Sequence, residues 1–112
     1  MALRIAINGF GRIGRLVFRA LRQRYRHSAE VVAINDLTDA PTLAHLLKYD
    51  SVHGKYPGTI SSDDSSLVVD GVPIRVTAEK SIDALPWHGI ADIILECTGK
   101  FTSRSELEKH LI

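Results

Sequence analysis

The 112-residue sequence predicts an α/β domain with a doubly wound, mostly parallel sheet and an antiparallel hairpin excursion. Three short apolar runs, at residues 5–8, 31–36 and 91–96, are nearly continuous, which is typical of parallel strands buried on both faces. Helical periodicity follows the first two runs, as an alternation of strands and helices requires. The pair Asp70-Gly71, between two further apolar runs, is the strongest hairpin signal in the sequence.

Hydrophobic residues make up 45% of the chain and charged residues 24%, and the formal net charge is +1. This balance is typical of a soluble globular domain and excludes disordered, collagen-like and membrane-spanning classes. The small net charge predicts no nucleic-acid or membrane partner. Residues 1–4 lead into the first strand without a signal-peptide pattern, so we expect one cytoplasmic domain over residues 1–112.

Cys97 is the only cysteine, so no internal disulfide can form. The histidines do not fall at ligand spacing and no cysteine cluster accompanies them, so the sequence predicts no metal site. These histidines are His27, His45, His53, His88 and His110.

A glycine turn follows the first strand and leads into a helical pattern, with Gly9, Gly11 and Gly14 in the spacing G-x-G-x-x-G. Gly9 permits a tight turn, Gly11 lets the backbone approach a pyrophosphate, and Gly14 lets the helix pack closely on the strand. The first N–H groups of that helix then face the phosphates. The motif alone is a weak signal, but it predicts a dinucleotide site.

The helix after the turn has an apolar stripe and a row of arginines. The apolar positions are Ile13, Leu16, Val17, Ala20 and Leu21. The arginines are Arg12, Arg15, Arg19, Arg22 and Arg26. Because the rest of the chain balances their charge, we interpret the arginines as a solvated helix face rather than a nucleic-acid surface.

The second strand ends in Asn35-Asp36, about 20 residues after the last glycine, which is the spacing of a dinucleotide-binding βαβ unit. A carboxylate at this position accepts hydrogen bonds from the adenosine ribose and repels the 2′-phosphate of NADP. A capping role suits Asp39 better, since Pro41 follows it near the first turn of the next helix. The glycine turn and Asp36 together predict a Rossmann-type site for NAD.

The second helix is predicted from residue 41 to residue 49, with Leu43, Leu46 and Leu47 on its apolar face. Two polar segments, residues 50–58 and 61–66, are predicted to be loops.

The hairpin is predicted to pair residues 67–69 with 72–76, and its later arm is expected to join the main sheet in the order 3-2-1-4. Residues 81–85 suit a helical turn, and a capping box opens a last helix from residue 103 to 112. A complete sheet of this class continues beyond the fourth strand, so the sequence predicts an incomplete sheet with an unpaired edge.

Four segments carry a resemblance to a known family, at residues 8–15, 35–39, 46–54 and 96–101. With these motifs in this order, essentially the whole chain resembles the amino-terminal part of phosphorylating glyceraldehyde-3-phosphate dehydrogenases. The resemblance implies a tetrameric enzyme that uses NAD and inorganic phosphate to convert glyceraldehyde 3-phosphate to 1,3-bisphosphoglycerate, through a cysteine thiohemiacetal and a thioester.

The resemblance also implies a set of cofactor contacts. Arg12 and Ile13 would offer backbone N–H groups to the pyrophosphate, and Leu37 would flank the adenine. Lys80 stands where the family usually has an arginine. A lysine lacks the planar guanidinium group with which an arginine makes two hydrogen bonds at once. The full set is Gly9, Phe10, Gly11, Arg12, Ile13, Gly14, Asn35, Asp36, Leu37, Lys80, Thr98, Gly99 and Phe101.

Catalytic residues are not expected in this chain. The family's catalytic cysteine segment, its catalytic histidine and its phosphate-binding residues have no counterpart in residues 1–112. Cys97 ends a buried strand, in a segment where relatives often have serine, and we interpret it as a packing or cofactor-cleft residue. The chain alone is therefore expected to bind cofactor without catalysis.

Two other functions remain open. Erythrose-4-phosphate dehydrogenase is compatible with residues 85–87 and 97–99, but Asp36, where that relative is expected to have glutamate, and residues 50–54 argue against it. A non-catalytic nucleotide-binding or assembly module would explain the unpaired sheet edge and the missing nucleophile. Substrate kinetics would distinguish the first alternative from a glyceraldehyde-3-phosphate dehydrogenase. The length of the natural chain would distinguish the second.

Overall fold

A computed structural model describes residues 3–25, 27–50, 54–56, 58–63, 65–79, 87 and 89–98. In chain order the elements are β1 (Leu3–Asn8), α1 (Arg12–Arg24), β2 (Ala29–Asn35), α2 (Ala40–Lys48), β3 (Tyr49–Asp50), β4 (Gly54–Lys55), β5 (Ile60–Ser62), β6 (Ser66–Val69), β7 (Val72–Thr77) and β8 (Ile93–Glu96). The helical turn predicted at residues 81–85 and the helix predicted at residues 103–112 lie outside the described residues. Neither described helix is long and apolar enough to cross a membrane.

The main sheet has six strands in the order β5-β6-β7-β2-β1-β8. Four of them, β7, β2, β1 and β8, run parallel, while β5 and β6 are antiparallel additions at one side. This arrangement confirms the predicted fold class and the 3-2-1-4 order, because β7 is the later arm of the hairpin and lies beside β2. All four parallel strands therefore present their carboxyl ends at one edge of the sheet.

The hairpin between β6 and β7 turns at Asp70 and Gly71, whose φ angles are 52° and 83°. Two consecutive positive φ angles define the turn that matches the twist of paired strands, and aspartate and glycine tolerate them best. The predicted hairpin is confirmed.

Two loop predictions were wrong in part. Residues 60–62 form β5, which pairs with β6 from Ile60 opposite Val69 to Ser62 opposite Leu67. Residues 49–50 and 54–55 form a separate two-stranded pair, β3 with β4. Their serine-rich and glycine-rich sequences lack an apolar alternation, so only pairing with a neighbouring strand makes them extended.

The main core lies where α1 and α2 cover one side of the sheet. Phe10 and Phe18 meet edge to face there, with ring centroids 5.7 Å apart. Other buried members are Ile5, Ile7, Val31, Ile34, Leu43, Leu47, Leu67, Val69 and Ile74. A smaller cluster of Ala6, Ala33 and Trp87 forms a second core, and Ala6 alternates in β1 with Ile5 and Ile7.

The predicted arginine face of α1 was wrong in one important respect. Arg19 is only 5% exposed, and its Nη2 donates to the carbonyl oxygens of Leu47 and Gly54, both at 2.7 Å. Ile13, predicted to be apolar and inward, is 60% exposed. The buried residues of α1 are Gly14, Phe18 and Arg19, so its inward face is rotated from the predicted apolar stripe.

The buried face of α2 also differs from the predicted one. Leu43 and Leu47 are buried as expected, but Leu46 is exposed. Ala40 and Ala44 complete the buried stripe, since they lie three or four positions from the two leucines. Asp39 caps this helix as predicted, because its carboxylate accepts from the Thr42 N–H at 2.7 Å.

Candidate functional site

The glycine turn lies at the carboxyl edge of the parallel strands, between β1 and α1. Gly9 has φ 95°, and its N–H donates to the Asn35 carbonyl oxygen at 2.7 Å. A Cβ on Gly9 would stand 2.7 Å from the backbone nitrogen of Thr98 and 2.9 Å from the carbonyl carbon of Cys97. Both the positive φ and the close approach of the β8 end therefore require glycine here.

The other two glycines differ sharply in their surroundings. A Cβ on Gly14 would collide with the Gly9 carbonyl oxygen and lie 3.5 Å from Ile7 Cγ2, so the first turn of α1 packs directly on the glycine turn. At Gly11, by contrast, no atom of the described residues outside Gly11 and its adjoining chain lies within 4 Å of the position that a Cβ would take. The turn thus has no space for a Cβ at Gly9 or Gly14, whereas the space beside Gly11 is open. A phosphate that approaches the backbone needs such an open position.

The amino end of α1 fits an anion. Gly11 is the N-cap and has no side chain to occupy the first N–H groups, and no acidic residue lies in the first turn. Arg12 and Ile13 follow, and both are exposed. The first turn of the helix is closed by the Arg15 N–H, which donates to the Gly11 carbonyl oxygen at 2.9 Å. The positive end of the helix dipole and these N–H groups suit a pyrophosphate.

Asp36 lies directly beside this turn. Its Oδ2 accepts from the Phe10 N–H at 2.7 Å, and its Oδ1 accepts from the Thr38 N–H at 3.0 Å. The residue is half-buried, and the next residue, Leu37, is exposed. Each carboxylate oxygen can accept a second hydrogen bond, so Asp36 can hold the turn and still accept from a ribose hydroxyl. Phe10 contributes its backbone here, since its side chain belongs to the core.

Polar side chains at the ends of β1 and β8 form a hydrogen-bonded group that sequence reasoning missed. Asn8 Nδ2 donates to Glu96 Oε2 at 2.9 Å and to Oε1 at 3.2 Å. The Thr98 hydroxyl donates to Glu96 Oε1 at 2.8 Å. Asn8 in turn accepts on Oδ1 from Asn35 Nδ2 at 2.9 Å. A polar residue closing each apolar strand was the available signal, because parallel strands place such residues side by side.

Asn35 continues this group toward β7. Its Oδ1 accepts from the Thr77 hydroxyl at 2.6 Å and from the Glu79 N–H at 2.8 Å, while its Nδ2 donates to the Glu79 carbonyl oxygen at 2.9 Å. We call these residues the cross-strand network; its members are Glu96, Thr98, Asn8, Asn35, Thr77 and Glu79. The network joins all four parallel strands at the edge where the glycine turn lies.

Cys97 is half-buried, packs against the main core and donates its N–H to the Asn8 carbonyl oxygen at 2.7 Å. Burial, and then the adjacent Glu96 carboxylate, raises the pKa of its thiol. A raised pKa keeps the thiol protonated at neutral pH, which makes it a poor nucleophile. Its geometry agrees with a packing residue at the border of the cleft.

The structure brings most of the predicted site residues together. The turn from Gly9 to Gly14, the pair Asn35-Asp36 and Thr98 meet at the carboxyl edge of β1, β2 and β8. Lys80, Gly99 and Phe101 lie outside the described residues.

A doubly wound parallel sheet, a glycine turn open at Gly11, an anion-binding helix terminus and an acid at the tip of β2 define a dinucleotide-binding domain of the Rossmann type. Residues 3–104 match the family described as the glyceraldehyde 3-phosphate dehydrogenase NAD binding domain. The chain belongs to this family, and NAD is the cofactor of the domain.

Relatives in several bacteria share about half of the residues. The chain is 56% identical over 109 residues to glyceraldehyde-3-phosphate dehydrogenase of Thermotoga maritima, covering 96% of this chain and 33% of the relative. The enzyme of the same name from Pseudomonas aeruginosa is 55% identical over 113 residues, covering 99% of this chain and 34% of the relative. The enzyme of the same name from Geobacillus stearothermophilus is 54% identical over 112 residues, covering 99% of this chain and 33% of the relative. The chain thus spans about a third of the length of these relatives.

Proposed function

We propose that residues 1–112 are the NAD-binding part of an enzyme that oxidises glyceraldehyde 3-phosphate with inorganic phosphate to 1,3-bisphosphoglycerate. Family membership and the names of the relatives support this substrate. The observation that carries the proposal is the glycine turn, open at Gly11 and tied to the Asp36 carboxylate through the Phe10 N–H.

In this proposal the chain binds and orients NAD. The backbone of Arg12 and Ile13 binds the pyrophosphate, and Asp36 accepts from the adenosine ribose. Leu37 flanks the adenine, and Thr98 borders the cleft on the β8 side. The remaining proposed contacts are Gly9, Phe10, Gly11, Gly14, Asn35, Lys80, Gly99 and Phe101.

The cofactor supplies the hydride acceptor, and the rest of the chemistry requires a nucleophile from outside residues 1–112. The protonated, half-buried thiol of Cys97 does not suit that role. The chain by itself is therefore proposed to be inactive. The complete enzyme is proposed to be a cytoplasmic homotetramer, in keeping with the family resemblance.

Binding and turnover test separate parts of this proposal. Titration calorimetry on the full-length protein should show NAD binding more tightly than NADP, because the Asp36 carboxylate repels a 2′-phosphate. Turnover, followed as NADH formation, should require phosphate and favour glyceraldehyde 3-phosphate over erythrose 4-phosphate. A preference for erythrose 4-phosphate would identify that sugar phosphate as the substrate instead. NAD binding without any turnover would favour a non-catalytic module.

A further inference from the structure

The cross-strand network has only one consistent arrangement of donors and acceptors. At one end the Glu96 carboxylate can only accept, so Asn8 must present its NH₂ to Glu96 and its carbonyl oxygen to Asn35. At the other end the backbone N–H and carbonyl of Glu79 are fixed in place. They require Asn35 to present Oδ1 to the N–H and Nδ2 to the carbonyl oxygen.

Both amides are buried, which makes a wrong orientation costly. Asn8 is 2% exposed and Asn35 is 5% exposed, so water does not readily replace a lost partner. If residue 96 presented a donor to Asn8 instead of an acceptor, the change would therefore propagate. The amide of Asn8 would have to turn over, and that of Asn35 after it. The two contacts between Asn35 and Glu79 would then pair donor with donor and acceptor with acceptor.

Four members of the network, Asn8, Asn35, Glu96 and Thr98, adjoin segments of the proposed cofactor cleft. Asn8 precedes Gly9, and Asn35 precedes Asp36 while its carbonyl accepts from the Gly9 N–H. Glu96 holds the hydroxyl of Thr98, whose backbone nitrogen lies against Gly9. The network thus connects the glycine turn, the ribose acid and the β8 wall through side chains, in addition to the strand pairing.

We propose that Glu96 is a positioning residue for NAD: through Asn8 and Asn35, its carboxylate sets the relative positions of the glycine turn, Asp36 and Thr98. Glu96 itself need not touch the cofactor. This inference rests on the proposed cofactor contacts, and it adds a determinant of affinity that the glycine motif and Asp36 do not contain.

The test is an isosteric change that reverses one demand of the network. Asn8→Asp places a carboxylate, which can only accept, against the carboxylate of Glu96, so the hydrogen bonds between these two residues are lost. We expect NAD to bind the full-length variant roughly tenfold or more weakly, the effect of losing a hydrogen bond to a charged group.

A second substitution restores complementarity. In the double variant Asn8→Asp with Glu96→Gln, the new carboxylate on β1 accepts both from the new amide on β8 and from Asn35. The double variant keeps the net charge of the pair and should recover most of the affinity.

A matched control lies at the opposite end of the same two strands. Asp92, just before β8, accepts from the backbone N–H and guanidinium of Arg4 on β1, and both residues are exposed. Asp92→Asn makes the same carboxylate-to-amide change between these strands as Glu96→Gln and should leave NAD affinity unchanged.

Calorimetry is performed well below the thermal midpoint of each variant, so that affinity is measured on folded protein. Wild-type affinity in Asn8→Asp, even with a lowered midpoint, would overturn the inference and leave the network a stabilising feature only. A double variant that fails to fold, or that binds NAD no better than Asn8→Asp, would overturn it as well. Absence of NAD binding in the wild type would instead refute the proposed function.

Discussion

The N–H of Phe10 donates to the Asp36 carboxylate at 2.7 Å, and this hydrogen bond joins the glycine turn to the tip of β2. The second oxygen of the same carboxylate accepts from the Thr38 N–H. Asp36 therefore has a structural task besides its proposed contact with the ribose. Both tasks depend on a hydrogen-bond acceptor at a strand end.

Replacing Asp36 by alanine should weaken NAD binding by about 1.5 to 3 kcal/mol, or roughly tenfold to a hundredfold, because it removes a charged hydrogen-bond acceptor. The preference for NAD over NADP should also narrow. Calorimetry with both cofactors measures each effect. Asp39→Ala is the control: it removes the cap of α2 at Thr42 and should lower stability, while leaving NAD affinity intact. Equal NAD affinity in wild type and Asp36→Ala would refute the role of Asp36.

The contrast between Gly11 and Gly14 predicts opposite phenotypes for the same substitution. Gly11→Ala should change stability by no more than about 0.5 kcal/mol, because its methyl group meets open space, and should sharply reduce NAD affinity. Gly14→Ala should destabilise the fold by several times as much, because its methyl group would strike the Gly9 carbonyl oxygen. Thermal melting and NAD titration of both variants test the pair. A Gly11→Ala variant that binds NAD normally would show that no phosphate approaches this position.

The buried Arg19 predicts a large loss of stability on truncation. Arg19→Met keeps an apolar stem of similar reach but leaves the carbonyl oxygens of Leu47 and Gly54 without their guanidinium donor. We expect a loss of about 3 kcal/mol in the free energy of unfolding, measured by urea denaturation. Arg24→Met, on the exposed last turn of the same helix, should change it by less than about 0.5 kcal/mol. Similar values for the two variants would contradict the inward position of Arg19.

The hairpin acid Asp70 predicts a pH dependence of stability. Burial raises the pKa of Asp70, but hydrogen bonds from Arg22, the Thr59 N–H and the Tyr56 hydroxyl outweigh it, and the pKa lies below its ordinary value of 3.8. A lowered folded-state pKa contributes stability above the unfolded pKa, and this contribution is lost as the pH falls through the folded value.

Asp70→Asn keeps a residue that tolerates φ 52°, and it removes the charge together with one of the two oxygens that accept hydrogen bonds. At neutral pH it should lower the free energy of unfolding by about 1 kcal/mol, a modest value because the side chain is a third exposed to solvent screening. As the pH falls below the ordinary value of 3.8, the gap between wild type and variant should narrow, and it should close only below the lowered folded-state pKa, where wild-type Asp70 is protonated. Urea midpoints from about pH 7 to about pH 3 provide the measurement, and a gap that does not narrow toward the acid end would show that the charge is not its source.

Features set by local sequence were predictable. The spacing of Gly9, Gly11 and Gly14, the hairpin at Asp70-Gly71 and the cap at Asp39 each depend on backbone angles or contacts within a few residues. The parallel order of the main strands followed from their continuous apolar character and from the handedness of crossovers. The short strand β5 was not predictable in the same way, because its sequence is polar and its extended form depends on β6.

Tertiary structure alone decided which side of α1 faces inward and how the strand-end polar groups pair. Periodicity placed Arg19 with the solvated arginines, but its carbonyl partners are 28 and 35 residues away and become available only when α2 and β4 pack against the helix. Asn8 and Glu96 are 88 residues apart, and only the parallel pairing of β1 with β8 brings them together. The sequence by itself determined that a dinucleotide turn and its acid exist; folding determined what surrounds them, because burial and hydrogen bonding depend on partners distant in the chain.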